Sequence, residues 1–286
     1  MKNKFYIIPN LLTTGNLVCG FFAILIALTD ALKLTFYSDF INPFILSSWL
    51  ILAAMIFDVL DGIVARLTKT DSQFGKELDS LADLTSFGIA PAVILYLSVL
   101  RHSGKLGMGI AAAYAVCAAF RLARFNAMKK ADLTSFTGLP TPAAAGVMVS
   151  YVLFAQWGEW YYVTVPHADS LAMINWYNVT VTKFNAYFLP GLMIVIALLM
   201  VSNIKFISLK KYVNKEKAPF IAIVSIGLTV LAFFLRPEPM FFAVTLGYVT
   251  LSLIRDIYLK FRTIKSNSKT AGKSSAMTIK KQRKNI

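Results

Sequence analysis

The sequence is short of the material that a soluble protein spreads over its surface. Only 15% of its 286 residues are charged, while 57% are hydrophobic and the mean hydropathy is +0.63. Ordinary globular domains carry about a quarter charged residues, so a soluble bundle of buried helices is disfavoured. Acidic residues number only 14. Cysteine is scarcer: Cys19 and Cys117 both fall inside apolar stretches, which leaves no basis for a disulfide framework or a thiolate metal site. No repeat of solenoid period and no inverted repeat is visible, and this weakens a transporter reading.

What the chain has instead is long apolar runs. About 20 consecutive apolar residues cross the hydrocarbon core of a bilayer. Eight stretches are candidates: roughly 10–29, 45–66, 78–100, 107–127, 140–157, 184–204, 218–235 and 239–257. They leave no room for a separate soluble domain. Residues 1–262 therefore read as one all-α, polytopic membrane domain with about eight transmembrane helices. The first run follows Lys2 and Lys4, as a secretory signal would, but it is longer than a signal core and no convincing cleavage site follows it. It is expected to remain as the first span.

The formal net charge of +15 fits either nucleic-acid binding or membrane topology, and the positions decide between them. With the N-terminus in the cytoplasm, all 29 basic residues except Lys33, Arg101, Lys105, Lys183 and Arg236 fall on the cytoplasmic side. This is the positive-inside bias; it places both termini in the cytoplasm and argues against a nucleic-acid partner. The connection at about 158–183 carries Trp160, Tyr161, Tyr162, Trp176 and Tyr177, rings suited to the outer headgroup level. The basic tail, 263–286, lacks the composition to pack; it is expected to be disordered and to brush anionic lipid.

The few acids are concentrated. Asp58, Asp61, Asp79 and Asp83 lie at the ends of two neighbouring spans. On helices the first two share a face at i,i+3 and the last two at i,i+4. The second span runs inward and the third outward, so the pairs face each other near the cytoplasmic surface. Four carboxylates this close cannot all stay ionised without a shared positive charge. An all-oxygen set favours a hard cation such as Mg²⁺, Mn²⁺ or Ca²⁺. Gly62 and Ala65 strip one face of bulk beside the cluster, and Arg66 is available to anionic phosphate oxygens. Helix caps and ion pairs with Arg66, Lys69 or Lys76 would explain one or two of the aspartates, but not all four.

These residues form the pattern D-x2-D-G-x2-A-R-x8-G-x3-D-x3-D, and every fixed position is filled. The chain thereby resembles the CDP-alcohol phosphotransferase family. That resemblance implies Asp58, Asp61 and Asp79 as ligands of two divalent cations, Mg²⁺ or Mn²⁺, on a CDP diphosphate. It implies Asp83 as a further ligand and as the base that deprotonates the acceptor hydroxyl. Gly62 and Gly75 would make room for cytidine, and Arg66 would contact phosphate.

Two more segments narrow the likeness. Ile8-Pro9-Asn10 through Gly20, and Phe120-Arg121 through Asn126 with Phe136 to Pro142 and the alanines after it, resemble membrane-type phosphatidylserine synthases of bacteria and archaea. This covers roughly the first 150 residues; the later spans match in number and length alone. It implies CDP-diacylglycerol and L-serine as substrates, with homodimers as the family's assembly. The location implied is a bacterial cytoplasmic membrane with the site facing the cytoplasm. Asn10 and Thr13 would touch the nucleotide, unless they only cap the first helix. Arg121 and Arg124, one turn apart, would grip the serine carboxylate; they also suit positive-inside or lipid-phosphate roles. Asn126 and Thr141 are candidates for the serine ammonium or the headgroup. Glycerol phosphate, inositol phosphate and choline are the alternative acceptors. A divalent-cation transporter is the remote alternative, and it would favour carboxylates near the midplane.

Overall fold

The computed structural model describes residues 7–31, 42–68, 72–127, 138–164, 187–204, 206, 239–259 and 262. These form seven principal helices, with no strand among the described residues: α1 (Ile7–Ala31), α2 (Pro43–Thr68), α3 (Gln73–Ser98), α4 (Gly104–Ala127), α5 (Thr141–Thr164), α6 (Tyr187–Val201) and α7 (Pro239–Leu259). Five are long and apolar enough to cross a membrane: α1, α2, α3, α4 with the short turn before it, and α7. The apolar helical segments Thr141–Ala155 and Tyr187–Val201 are shorter, and the expected span at 218–235, like the 263–286 tail, lies outside the described residues.

Large apolar side chains cover much of the outer surface, while polar groups are buried within an otherwise apolar interior. Leu11, Ile56, Leu106, Phe120, Leu198 and Leu251 are exposed, whereas Thr13, Asn16, Ser47, Ser48, Asp61, Asp83 and Ser86 are buried. An exterior of this kind suits hydrocarbon. The chain is an integral membrane protein.

Local sequence sets the helix ends. Pro43 opens α2 where a missing N–H costs nothing, and Asn42 Oδ1 accepts from Phe44 N–H at 2.9 Å. Ser72 caps α3 by accepting from Gly75 N–H at 2.9 Å. That cap moves the start of α3 to Gln73, upstream of the apolar run expected from 78. Its first three turns are amphipathic, with Lys76 and Glu77 exposed. Similarly α5 continues to Thr164, past the expected end at 157, because no proline intervenes until Pro166.

Side-chain pairs give the directions of the helices. Thr13 meets Asp61 and Gly15 faces Phe57, so α1 and α2 are antiparallel. Asn16 meets Asp83 and Gly20 faces Ser86, so α1 and α3 are parallel. At Gly20 an added Cβ would lie 2.7 Å from the Ser86 Cα, so the two helices approach here more closely than a side chain allows. Ser86 also donates to the Asn16 carbonyl at 2.9 Å.

Immediately after Asp83, α3 widens into a π-helical turn, Leu84–Ile89. Single π turns inside α-helices occur often at functional sites. Pro91 follows and has no N–H to give the preceding turn. The buried Tyr114 hydroxyl of α4 donates to the Phe87 carbonyl at 3.2 Å and supplies a bond that the proline cannot. Phe87, Tyr114, Ala118, Ile51, Ile94 and Met148 form the core beneath this turn. Aromatic contacts of Phe241 with Trp49 at 5.7 Å, and of Phe242 with Tyr151 at 5.5 Å, hold α7 to α2 and α5.

Candidate active site

Three helices build the site at one end of the bundle. From α2 come Asp58, Asp61, Gly62 and Arg66, and from the start of α3 come Gly75, Lys76, Asp79 and Asp83. Carboxylate oxygens of Asp58, Asp61 and Asp79 all lie within 4.8 Å of one another. Like charges so close repel strongly in a partly buried setting, and a shared divalent cation removes that repulsion. Asp79 Oδ1 is buried and has no hydrogen-bond partner among the described residues, as a ligand atom would be before its cation binds. The donor set and this orphaned oxygen both fit a hard cation. Asp83 lies one turn beyond Asp79, outside that close trio but within its electrostatic reach.

The third helix, α1, lays a polar stripe along both. Thr13 donates to Asp61 Oδ2 at 2.8 Å, with the Pro9 carbonyl at 3.1 Å as a second acceptor. Asn16 Nδ2 donates to Asp83 Oδ1 at 3.2 Å. Neither Asn16 nor Gly20 was singled out from sequence. The signal was present: Asn10, Thr13, Asn16 and Gly20 recur at spacings of three and four, one face of a helix.

A cavity of about 210 Å³ opens above the cluster. It gathers all five residues expected at the nucleotide: Asn10, Thr13, Gly62, Arg66 and Gly75. Asp61 and Asp79 border it, and so do Ser72 and Lys76, which sequence alone did not select. A Cβ on Gly75 would lie 3.0 Å from Ser72 Oγ and 3.2 Å from Asn10 Oδ1, so glycine lets α1 approach the α3 cap. At Gly62 a Cβ would meet only Arg66 Nη1 at 3.6 Å. Packing within the protein does not demand that glycine, which fits space kept for a ligand.

The family model for CDP-alcohol phosphatidyltransferases matches residues 6–184, which include every one of these helix ends. This chain belongs to the CDP-alcohol phosphatidyltransferase family. It is therefore a membrane-embedded transferase of phospholipid synthesis. Among its relatives, a Helicobacter pylori protein named CDP-diacylglycerol–serine O-phosphatidyltransferase is 34% identical over 94% of this chain and 99% of its own length. Proteins of the same name from Methanocaldococcus jannaschii and Bacillus subtilis are 36% and 34% identical, over 58% and 50% of this chain and 64% and 73% of theirs. The Helicobacter likeness runs well past the first 150 residues.

The residues expected at a serine site do not line the cavity. Arg121 is largely buried; its Nη1 donates to Thr141 Oγ1 at 2.8 Å, and Asp83 is the carboxylate that acts on its charge. Arg124 is committed elsewhere. Its guanidinium donates to the Val201 and Ser202 carbonyls, at 2.9 and 3.2 Å, where α6 ends. Gly138, at φ +84°, and Leu139 donate backbone N–H to the Ile204 and Leu199 carbonyls at 2.9 and 3.0 Å. Together they clasp the entrance of α5 to the end of α6. Asn126 is exposed and donates to Ser80 Oγ at 2.8 Å, a tie between α4 and α3.

Proposed function

We propose that this phosphatidyltransferase moves the phosphatidyl group of CDP-diacylglycerol onto the hydroxyl of L-serine, giving phosphatidylserine and CMP. The observation that carries the acceptor is the likeness, along 94% of the chain, to the Helicobacter protein named for that reaction. The largely buried guanidinium of Arg121, within electrostatic reach of Asp83, supports it.

Asn10, Thr13, Gly62, Arg66 and Gly75 receive the nucleotide and its diphosphate, with Arg66 pairing to phosphate oxygens. Asp58, Asp61, Asp79 and Asp83 hold two divalent cations, Mg²⁺ or Mn²⁺, which when bound neutralise the diphosphate and make CMP a better leaving group. Asp83 accepts the hydroxyl proton as the serine oxygen attacks the phosphorus bearing diacylglycerol. The new O–P bond forms as the P–O bond to CMP breaks in line, and that electron pair leaves with CMP. Arg121 takes the serine carboxylate and keeps it away from the aspartates. Arg124 and Asn126 serve the serine end by anchoring the helix ends beside Arg121.

We assign about eight spans, both termini and the site to the cytoplasmic side of a bacterial membrane, and residues 263–286 to a cytoplasmic tail. The gathering of Arg66, Lys76, Arg121 and Arg124 at one end of the bundle supports this sidedness. Assembly as a homodimer rests on the family resemblance.

The deciding experiment uses purified enzyme, labelled CDP-diacylglycerol and a panel of serine, glycerol phosphate, inositol phosphate and choline, following CMP release. Serine alone should drive release. Release with another alcohol and none with serine would move the acceptor while leaving the donor chemistry in place.

A further inference from the structure

Around Asp83 the buried polar groups do not satisfy one another. Asn16 is fully buried, and its Nδ2 donates to Asp83 Oδ1 at 3.2 Å. An amide has its donors on nitrogen alone, so that bond leaves Oδ1 as a pure acceptor. Asn16 Oδ1 is buried and has no hydrogen-bond partner among the described residues. Across from it, α4 brings in Arg121. Its Nη1 is used by Thr141, but its buried Nε–H likewise has no partner among the described residues.

Such groups are rare in native interiors, because each one gives up water and gets nothing back. Here an unmet acceptor sits on the residue that bonds Asp83, and an unmet cationic donor lies within electrostatic reach of the same carboxylate. The two atoms ask for opposite partners. The amide oxygen takes a group rich in N–H donors, and the guanidinium takes an anion. A molecule that satisfies both ends while presenting a hydroxyl to Asp83 is a zwitterion: an α-amino acid hydroxylated at its β-carbon.

We infer that Asn16 Oδ1 receives the ammonium of the acceptor while Arg121 Nε–H receives its carboxylate. The two unmet groups thus select a hydroxy-amino acid and hold its hydroxyl at Asp83. This rests on the proposal that serine is the acceptor. It assigns the ammonium to Asn16 on α1 in place of Asn126, which is exposed and engaged with Ser80.

The test uses the full-length enzyme in lipid nanodiscs with CDP-diacylglycerol and Mn²⁺. Serine-dependent CMP release by the wild type comes first; its absence overturns the serine proposal and this inference with it. Next, 3-hydroxypropionate, which is serine without its ammonium, is titrated as a competitor. A site built to bond a group rejects the analogue lacking it, so its Ki should exceed the serine KM by about a hundredfold or more. Asn16→Ser keeps a donor near Asp83 and withdraws the amide acceptor. It should raise the serine KM by about tenfold or more and change the 3-hydroxypropionate Ki by less than about twofold. In Arg121→Lys the pattern should invert, with ethanolamine, which lacks the carboxylate, as the unaffected competitor. The inference fails if the wild type holds 3-hydroxypropionate as tightly as serine, a comparison that needs no variant to fold. It fails equally if Asn16→Ser lowers kcat and leaves the ratio of the two constants intact, since Asn16 would then only position Asp83.

Discussion

Thr13 on α1 and Asp61 on α2 meet in a buried hydrogen bond of 2.8 Å, so the aspartate cluster is held by three helices and not by two. The signature motif lies wholly in α2 and α3, yet one of its carboxylates is oriented from outside it. Outer partners of metal ligands commonly change metal affinity or activity by about ten- to a hundredfold when removed. Thr13→Val keeps the volume and loses the hydroxyl. The Mn²⁺ concentration giving half-maximal activity should rise by about tenfold or more on that basis. An unchanged metal requirement would reduce Thr13 to a helix residue that happens to touch Asp61.

The cluster itself makes a plainer prediction. Asp58→Asn, Asp61→Asn and Asp79→Asn each replace an anionic ligand by a weak neutral one, and each should abolish transfer. Mn²⁺ binding to the purified variants, read by electron paramagnetic resonance, should weaken in parallel. Chelation of the wild type should stop CMP release, and added Mg²⁺ or Mn²⁺ should restore it. Full activity in excess chelator would remove the cations from the mechanism. Asp83→Asn should still bind CDP-diacylglycerol while turnover stops, because the proton acceptor is gone and the close trio of carboxylates is intact.

Much of this was legible in the sequence, and for identifiable reasons. The apolar runs gave an all-helical membrane protein because length and composition alone decide what can cross a bilayer. The four aspartates were visible because ionisable groups in apolar helices are expensive and stand out. Of the residues expected at the nucleotide, Gly62, Arg66 and Gly75 border the cavity because they lie close to the aspartates along α2 and α3. Asn10 and Thr13 are brought to it by the packing of α1. Asn16 was missed since a polar residue in a first span carries no charge to mark it, and its partner is 67 positions away. The apolar run from about 78 understates α3 for a related reason: hydropathy sees the run, whereas the helix begins at the Ser72 cap. Arg124 looked like a twin of Arg121 at i,i+3, and only the described contacts separate them. One bonds Thr141 within electrostatic reach of Asp83, and the other binds the end of α6.

The crossing of α1 and α3 should be intolerant of any side chain at Gly20. An added methyl would lie 2.7 Å from the Ser86 Cα, and a backbone atom cannot move aside as a flexible side chain can. Relief requires the two helices to part, which also strains the Asn16–Asp83 bond one turn away. Overpacking of this kind costs about 1–3 kcal/mol. Gly20→Ala should therefore lower the Tm in detergent and reduce kcat together. A variant with wild-type Tm and kcat would mean that the crossing is looser than the structure has it.

The two arginines give the sharpest contrast, because the same conservative change should do different things one turn apart. Lysine keeps the positive charge but loses the planar fork and the Nε–H. At Arg121 that removes the unmet Nε–H donor, so Arg121→Lys should raise the serine KM by about tenfold, or roughly 1.4 kcal/mol, with the CDP-diacylglycerol KM little changed. At Arg124 the guanidinium spans the Val201 and Ser202 carbonyls and the Asn203 side chain, a geometry that a single ammonium cannot reproduce. Arg124→Lys should lower the Tm, with a serine KM shift smaller than that of Arg121→Lys. Gly138→Ala offers a control on the same clasp. Its φ of +84° disfavours any side chain, and its Cβ would lie 2.7 Å from Arg124 Nη2, so it should reproduce the loss of stability without touching a charge. If Arg124→Lys instead raises the serine KM as much as Arg121→Lys and leaves Tm unchanged, both arginines hold the carboxylate. The clasp between α5 and α6 would then be incidental to Arg124. Were the lipid KM to rise in either variant while serine's stayed put, that arginine would belong to the diphosphate, and the acceptor would rest on Asn16 and the relatives alone.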